Sequence, residues 1–207
     1  MVEMSENTVN PYDKQKLRNI HVLVVISSRQ AADLIKQIFE SIGFKAIHIA
    51  YNAIEAVALL RTVRVHMIIA DAQLELTGNS VASSMADDDD EVLDLLGIKF
   101  VQRLRYSPKS PAAYTPILIL MDSPNVETII IARDAGVNEI VIKPIEARPF
   151  CERVVNLIDN PRMHITSDNY KGPCRRRKNA GPPSGMEERR KRDIRLITCD
   201  ELRGRKT

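Results

Sequence analysis

The stretch DAGVNEIVIKPIEARPF, residues 134–150, closes one helix, runs a short strand and opens another helix. Gly136 follows a helical pattern at the place where glycine's tolerance of positive φ ends a helix. EIVIK (139–143) is too short for a globular helix and is rich in β-branched residues, so it reads as a strand. Pro144, which has no N–H to donate, stops that strand directly after Lys143. From Glu146 to Ile158 the spacing of Phe150, Val154 and Leu157 is helical again.

The same alternation extends towards the N-terminus. Apolar runs stand at HVLVVI (21–26), KAIHIA (45–50), HMIIAD (66–71) and PILILM (116–121), flanked by polar residues, Gly or Pro. Uninterrupted runs of this kind suit strands covered on both faces. Amphipathic segments lie between them. Ala32, Ile35, Ile38 and Phe39 share one face of a first helix that stops at Gly43. Asn52 is placed to cap a second. Val92, Leu95, Ile98, Phe100, Val101 and Leu104 mark a third, and Asn125 to Asp134 a fourth. Five strands alternating with five helices predict an α/β fold, a parallel sheet between two helical layers. In such sheets the functional crevice lies at the carboxyl ends of the strands, where HMIIAD delivers Asp71.

Composition bounds the rest. With 44% hydrophobic and 28% charged residues, the 207-residue chain fits a soluble globular protein. No apolar run approaches the roughly 18 residues of a membrane span, and no secretory signal is visible, so a cytoplasmic location is expected. Cys151, Cys174 and Cys199 lie far apart and suggest reduced thiols rather than a metal or disulfide framework. The charge is uneven. Residues 1–161 carry 16 Lys/Arg and 21 Asp/Glu, whereas residues 162–207 carry 14 and 6. The expected organisation is an N-terminal extension (1–19), a domain (20–160) with an insertion at about 77–94, and a basic, flexible tail (161–207).

Over residues 20–160, the runs HVLVVI…SRQAADLIKQIFESIGF, MIIADAQL, LGIKFVQRLR, PILILM and DAGVNEIVIKPIEARPF resemble the receiver domain of bacterial two-component response regulators. The resemblance implies a flavodoxin-like, CheY-like three-layer sandwich with strand order 2-1-3-4-5. It assigns Asp71 to the phosphoacceptor position and Lys143 to the residue that pairs with a phosphoryl oxygen. It also exposes departures. The two acids that hold Mg²⁺ in the family fall on Ile26 and Ser27, the hydroxyl switch position on Met121, and the aromatic switch position on Ile140. Mg²⁺ is thus expected only if phosphorylation is retained, no metal site is assigned, and no other cofactor is implied. Without the acid pair the main charge stabilisation of phosphoryl transfer is missing. The resemblance therefore suggests a degenerate receiver without an output domain, not an enzyme. It would act through protein–protein contacts, with Asp71 and Lys143 as an ion pair at the crevice.

Its partners would be a histidine kinase, a phosphotransferase or a downstream regulator. They would be met on the face of the fourth helix, fifth strand and fifth helix, with Glu127, Ile131, Ile140 and Pro144 as contacts; a homodimer through that face is the other option. Two alternatives stand beside this reading. One is a conventional phospho-accepting regulator using Asp71, the insertion supplying acid from its run Asp87 to Glu91. The other is a nucleic-acid or anionic-membrane binder working through CRRRK (174–178) and RRKRDIR (189–195). Ser27 and Ser28 read as caps of the first helix. Asp122 with Ser123 reads as a cap of the fourth, turned away from Asp71. His21, His48 and His66 read as separate core or edge residues.

Overall fold

The computed structural model describes residues 12–74, 95–167, 169–175 and 195–197. The insertion at 77–94, including Asp87 to Glu91 and Val92, and most of both basic runs lie outside the described residues.

The chain opens with α1 (Lys14–Arg18), capped by the Asp13 carboxylate on the N–H groups of Gln15 and Lys16. It then alternates β1 (His21–Val25), α2 (Arg29–Ile42), β2 (Ala46–Ala50), α3 (Ala53–Thr62), β3 (Met67–Asp71), α4 (Leu96–Tyr106), β4 (Ile117–Asp122), α5 (Val126–Asp134), β5 (Glu139–Lys143) and α6 (Ala147–Asp159). The sheet is parallel, in the order β2-β1-β3-β4-β5, as expected. The helix starts obey side-chain capping. Ser28, Asn52 and Asn125 accept from the N–H groups of Ala31, Glu55 and Thr128. Gly43, at φ 119°, ends α2 in the left-handed conformation that glycine adopts without a Cβ penalty.

Alternation along the strands builds two cores. Val22, Val24, Met67, Ile69, Leu118 and Leu120 face α2 and α6, where Phe39, Phe44 and Phe150 pack together. Leu23, Val25, Ile68, Ala70, Ile117 and Ile119 face the other way, onto α3 and α4.

The folded unit extends past both predicted boundaries. At the N-terminus, α1 buries Leu17 in the α2–α6 core, so residues 13–19 belong to the domain. At the C-terminus, β6 (His164–Ser167) and β7 (Tyr170–Pro173) form an antiparallel hairpin, and β8 (Arg195–Ile197) pairs with β6 on its other side. The hairpin is seated on the domain. Lys171 N–H donates to the Tyr106 hydroxyl, Arg175 pairs with Asp134, and His164 is buried beside Tyr114. The expectation of a flexible tail from residue 161 is corrected for this segment. Polar HITS and YKGP give no strand signal by themselves, and they are held by contacts distant in sequence.

Candidate functional site

β3 ends at Asp71 in a polar turn: Asp71 Oδ1 accepts from Gln73 N–H at 3.0 Å. The turn is pinned from both sides. Ala72 N–H donates to Leu120 O, and Gly97 N–H at the start of α4 donates to Ala72 O. Asp71 is buried, and its other oxygen, Oδ2, stands 2.7 Å from Lys143 Nζ.

Register explains how the charged groups meet. Asp71 pairs with Leu120, and Lys143 pairs with Asp122. Leu120 and Asp122 are two residues apart on β4, so Asp71, Asp122 and Lys143 leave the sheet on the same face. Lys143 Nζ donates to Asp122 Oδ2 at 3.0 Å as well as to Asp71. One ammonium therefore sits between two carboxylates. This corrects the reading of Asp122 as a helix cap turned away from Asp71. Alternation does hold along β4, but Met121 is the residue that faces away, buried in the α3–α4 core, and Asn125 caps α5. Ser123 turns the chain out of β4 at φ 38°, a conformation that costs a non-glycine residue about 1–2 kcal/mol.

The site's electrostatics follow from this arrangement. Partial burial alone would push the Lys143 ammonium down. The hydrogen bonds and charges of Asp71 and Asp122 together outweigh it, and its pKa lies above the ordinary lysine value. The Lys143–Pro144 peptide is cis.

The positions expected to be acidic are occupied otherwise. Continuing the β1/β3 register puts Ile26 level with Asp71, and its side chain is buried in the α2–α6 core. Ser27 is half-buried, and the neighbouring Ser28 caps α2. Mg²⁺ is held by one or two carboxylates together with waters, in near-octahedral oxygen coordination. Here the two available carboxylates already hold an ammonium, and the wall beside them is apolar. These residues do not fit the metal. Among the described residues, no group of three or more His, Cys, Asp or Glu side chains is arranged to hold a metal ion.

Of the expected contact residues, Glu127, Ile131 and Pro144 are exposed, whereas Ile140 is half-buried against the α3–α4 core. The sequence reading missed Ile142, which is 54% exposed on β5, and Val126, Ile129 and Ile130 on α5. Period-two alternation with Ile140 is the signal that could have found Ile142. Neither described cysteine is disulfide-bonded, and burial pushes the Cys151 thiol up to about 11, so it is unreactive. No described helix is long and apolar enough to cross a membrane.

No family model matches the chain, and no curated protein matches it. Solved structures do resemble it. The chemotaxis response regulator CheY4 of Vibrio cholerae superposes with a TM-score of 0.53 at 20% identity, over 67% of this chain and 98% of that one. The receiver domain of Francisella response regulator 1452 gives 0.53 at 23% identity, over 68% and 98%. The signal receiver domain of an HD domain-containing protein from Pseudomonas fluorescens Pf-5 gives 0.54 at 18%, over 69% and 96%. At these identities the likeness is one of fold, and the fold is that of response-regulator receiver domains.

Proposed function

We propose that this receiver-fold chain serves bacterial two-component signalling as a cytoplasmic binding protein rather than an enzyme, and that Asp71 is held in an ion pair instead of being efficiently phosphorylated. The observation that carries this reading is the Lys143 ammonium fixed between Asp71 and Asp122. Phosphoryl transfer to a carboxylate is mostly positioning and charge stabilisation. A cation already neutralised by two carboxylates, with Ile26 level with Asp71, leaves little of either for an incoming phosphoryl group.

Binding would use the face formed by α5, β5 and the start of α6. Val126, Ile131 and Ile142 stand 73%, 47% and 54% exposed there, together with Ile129 and Ile130. Exposed large apolar side chains in such number mark candidate interaction surfaces. The partner is a protein of the same pathway: a histidine kinase, a phosphotransferase or a downstream regulator.

The test is intact mass after incubation with a small-molecule phosphodonor and Mg²⁺, beside an Asp71→Asn control. An unchanged mass is expected. A gain of one phosphoryl group, absent from the control, would overturn the reading in favour of a conventional phosphoacceptor.

A further inference from the structure

His21, His48 and His66 come from three separate runs, yet the sheet brings them into one row. β1 pairs with β2 so that Leu23 meets His48, and with β3 so that Val22 meets Met67. His21 shares the parity of Leu23, and His66 immediately precedes Met67. All three side chains therefore leave the same face, away from the Asp71 end of the sheet. The expectation that they stand apart is corrected: the ring centroids of His21 lie 5.4 Å from those of His48 and 5.6 Å from those of His66.

Two nitrogens in this row face each other. His21 Nδ1 and His48 Nε2 are 3.3 Å apart. In the metal-free chain this is a long hydrogen bond, one ring donating and the other accepting. It also matches the spacing across a shared tetrahedral metal ion, since two Zn–N bonds of about 2.0–2.1 Å at the tetrahedral angle place their nitrogens roughly 3.3–3.4 Å apart. The third histidine braces the first, as His66 Nδ1 accepts the His21 backbone N–H at 2.9 Å. His21 and His48 are half-buried, which leaves one side of the pair open to solvent.

We propose that His21 and His48 form a two-imidazole site for a late first-row divalent cation, Zn²⁺, Ni²⁺ or Cu²⁺, which ties edge strand β2 to β1. Water or a small exogenous ligand completes the coordination, because no third protein ligand joins the pair among the described residues. Imidazole nitrogens favour these metals over Mg²⁺ or Ca²⁺, and Cu²⁺ binds tightest in the series.

The test is calorimetric titration of the tag-free full chain with Zn²⁺ alone. One equivalent is expected to bind, at least tenfold more weakly in His21→Gln and in His48→Gln, and unchanged in Cys174→Ser. Absence of stoichiometric binding, or binding that survives both histidine variants, would overturn the proposal. So would binding lost with Cys174→Ser. Should the histidine variants fold poorly, electron paramagnetic resonance of Cu²⁺ on the wild-type chain decides: two equatorial nitrogens are expected, and fewer than two would refute the site.

Discussion

Gly97 lies directly against Asp71: a β-carbon at Gly97 would stand 1.8 Å from the Asp71 carbonyl oxygen and 2.8 Å from its carbonyl carbon. The first turn of α4 thus rests on the backbone that presents the crevice carboxylate, and Gly97 N–H secures it by donating to Ala72 O. Backbone cannot yield as a flexible side chain does. Gly97→Ala is therefore expected to destabilise the protein by about 2–3 kcal/mol, against the helix-propensity gain an alanine brings in an open helix. Urea unfolding of the two proteins measures it, and equal stability would mean that α4 can lift without cost.

Lys143→Met removes the ammonium and leaves two carboxylates facing each other. Asp71 is the costly partner because it is buried, whereas Asp122 is half-exposed. A loss of roughly 1.5–3 kcal/mol is expected at neutral pH, and Asp122→Asn should cost less than about 1 kcal/mol. The pH dependence has a definite sign. The folded Lys143 pKa is raised above the unfolded 10.5, so its stabilisation is complete below that value. It is lost as pH rises through the folded pKa. The gap between wild type and Lys143→Met in urea should be flat from neutrality to about pH 10 and should narrow above it.

How far the residues alone disclosed this molecule depended on how local each signal was. The five strands were legible because buried parallel strands are unbroken Val/Ile runs, and Ser28 and Asn52 announced their helices by capping chemistry, whereas the cap of α5 was read at Asp122 and Ser123 and falls on Asn125. Asp71 and Lys143 were legible as strand-end residues. Asp122 was not, because its convergence with Lys143 depends on the β4/β5 register, and register is a pairing property. The histidine row was hidden for the same reason. The β6–β7 hairpin escaped because it is held from outside: a β-carbon on Gly172 would come within 2.7 Å of Gly136 Cα, so this backbone-to-backbone seat needs glycine.

Acid should loosen that hairpin through His164. Its Nε2 is buried and meets no hydrogen-bond partner among the described residues. Burial, with the nearby Arg105 charge, pushes its pKa down to about 3. The unfolded chain takes up this proton near pH 6.5 while the native state refuses it. Stability therefore falls as pH drops from about 6.5 towards 3, by up to about 1.4 kcal/mol per pH unit. Between pH 6.5 and 5, wild type should lose about 1–2 kcal/mol relative to His164→Leu, read from urea unfolding. Parallel pH profiles would show that His164 does not titrate with folding.

Arg105 is the group whose removal should be felt most widely. It is fully buried on α4, and it is satisfied entirely by neutral oxygens. Nε donates to Gly136 O, Nη1 to Ala113 O and Thr115 O with a longer contact to Ala112 O, and Nη2 to Asn138 Oδ1. Burial lowers its pKa to about 9, which still leaves it charged at neutral pH. Two effects oppose each other in Arg105→Met. The variant escapes the desolvation cost of an unpaired buried charge, which is why exchanging buried ions for apolar side chains is sometimes harmless. It also strips partners from acceptors on the loop before β4, on the turn that seats the hairpin and on Asn138. Asn138 Oδ1 keeps one donor, Ile117 N–H, and each orphaned buried acceptor costs about 1–3 kcal/mol. Losing partners at the buried Gly136 O and at the part-buried Ala113 O and Thr115 O together outweighs one relieved charge, so Arg105→Met should destabilise by at least about 2 kcal/mol. The damage should also be local. Amide exchange at Thr115 and Val137, whose N–H groups bond Ala112 O and Ala132 O, should quicken at least tenfold more than at Val24 in the sheet centre. Uniform acceleration across the sheet would mean that Arg105 supports global stability and is no tether for these loops.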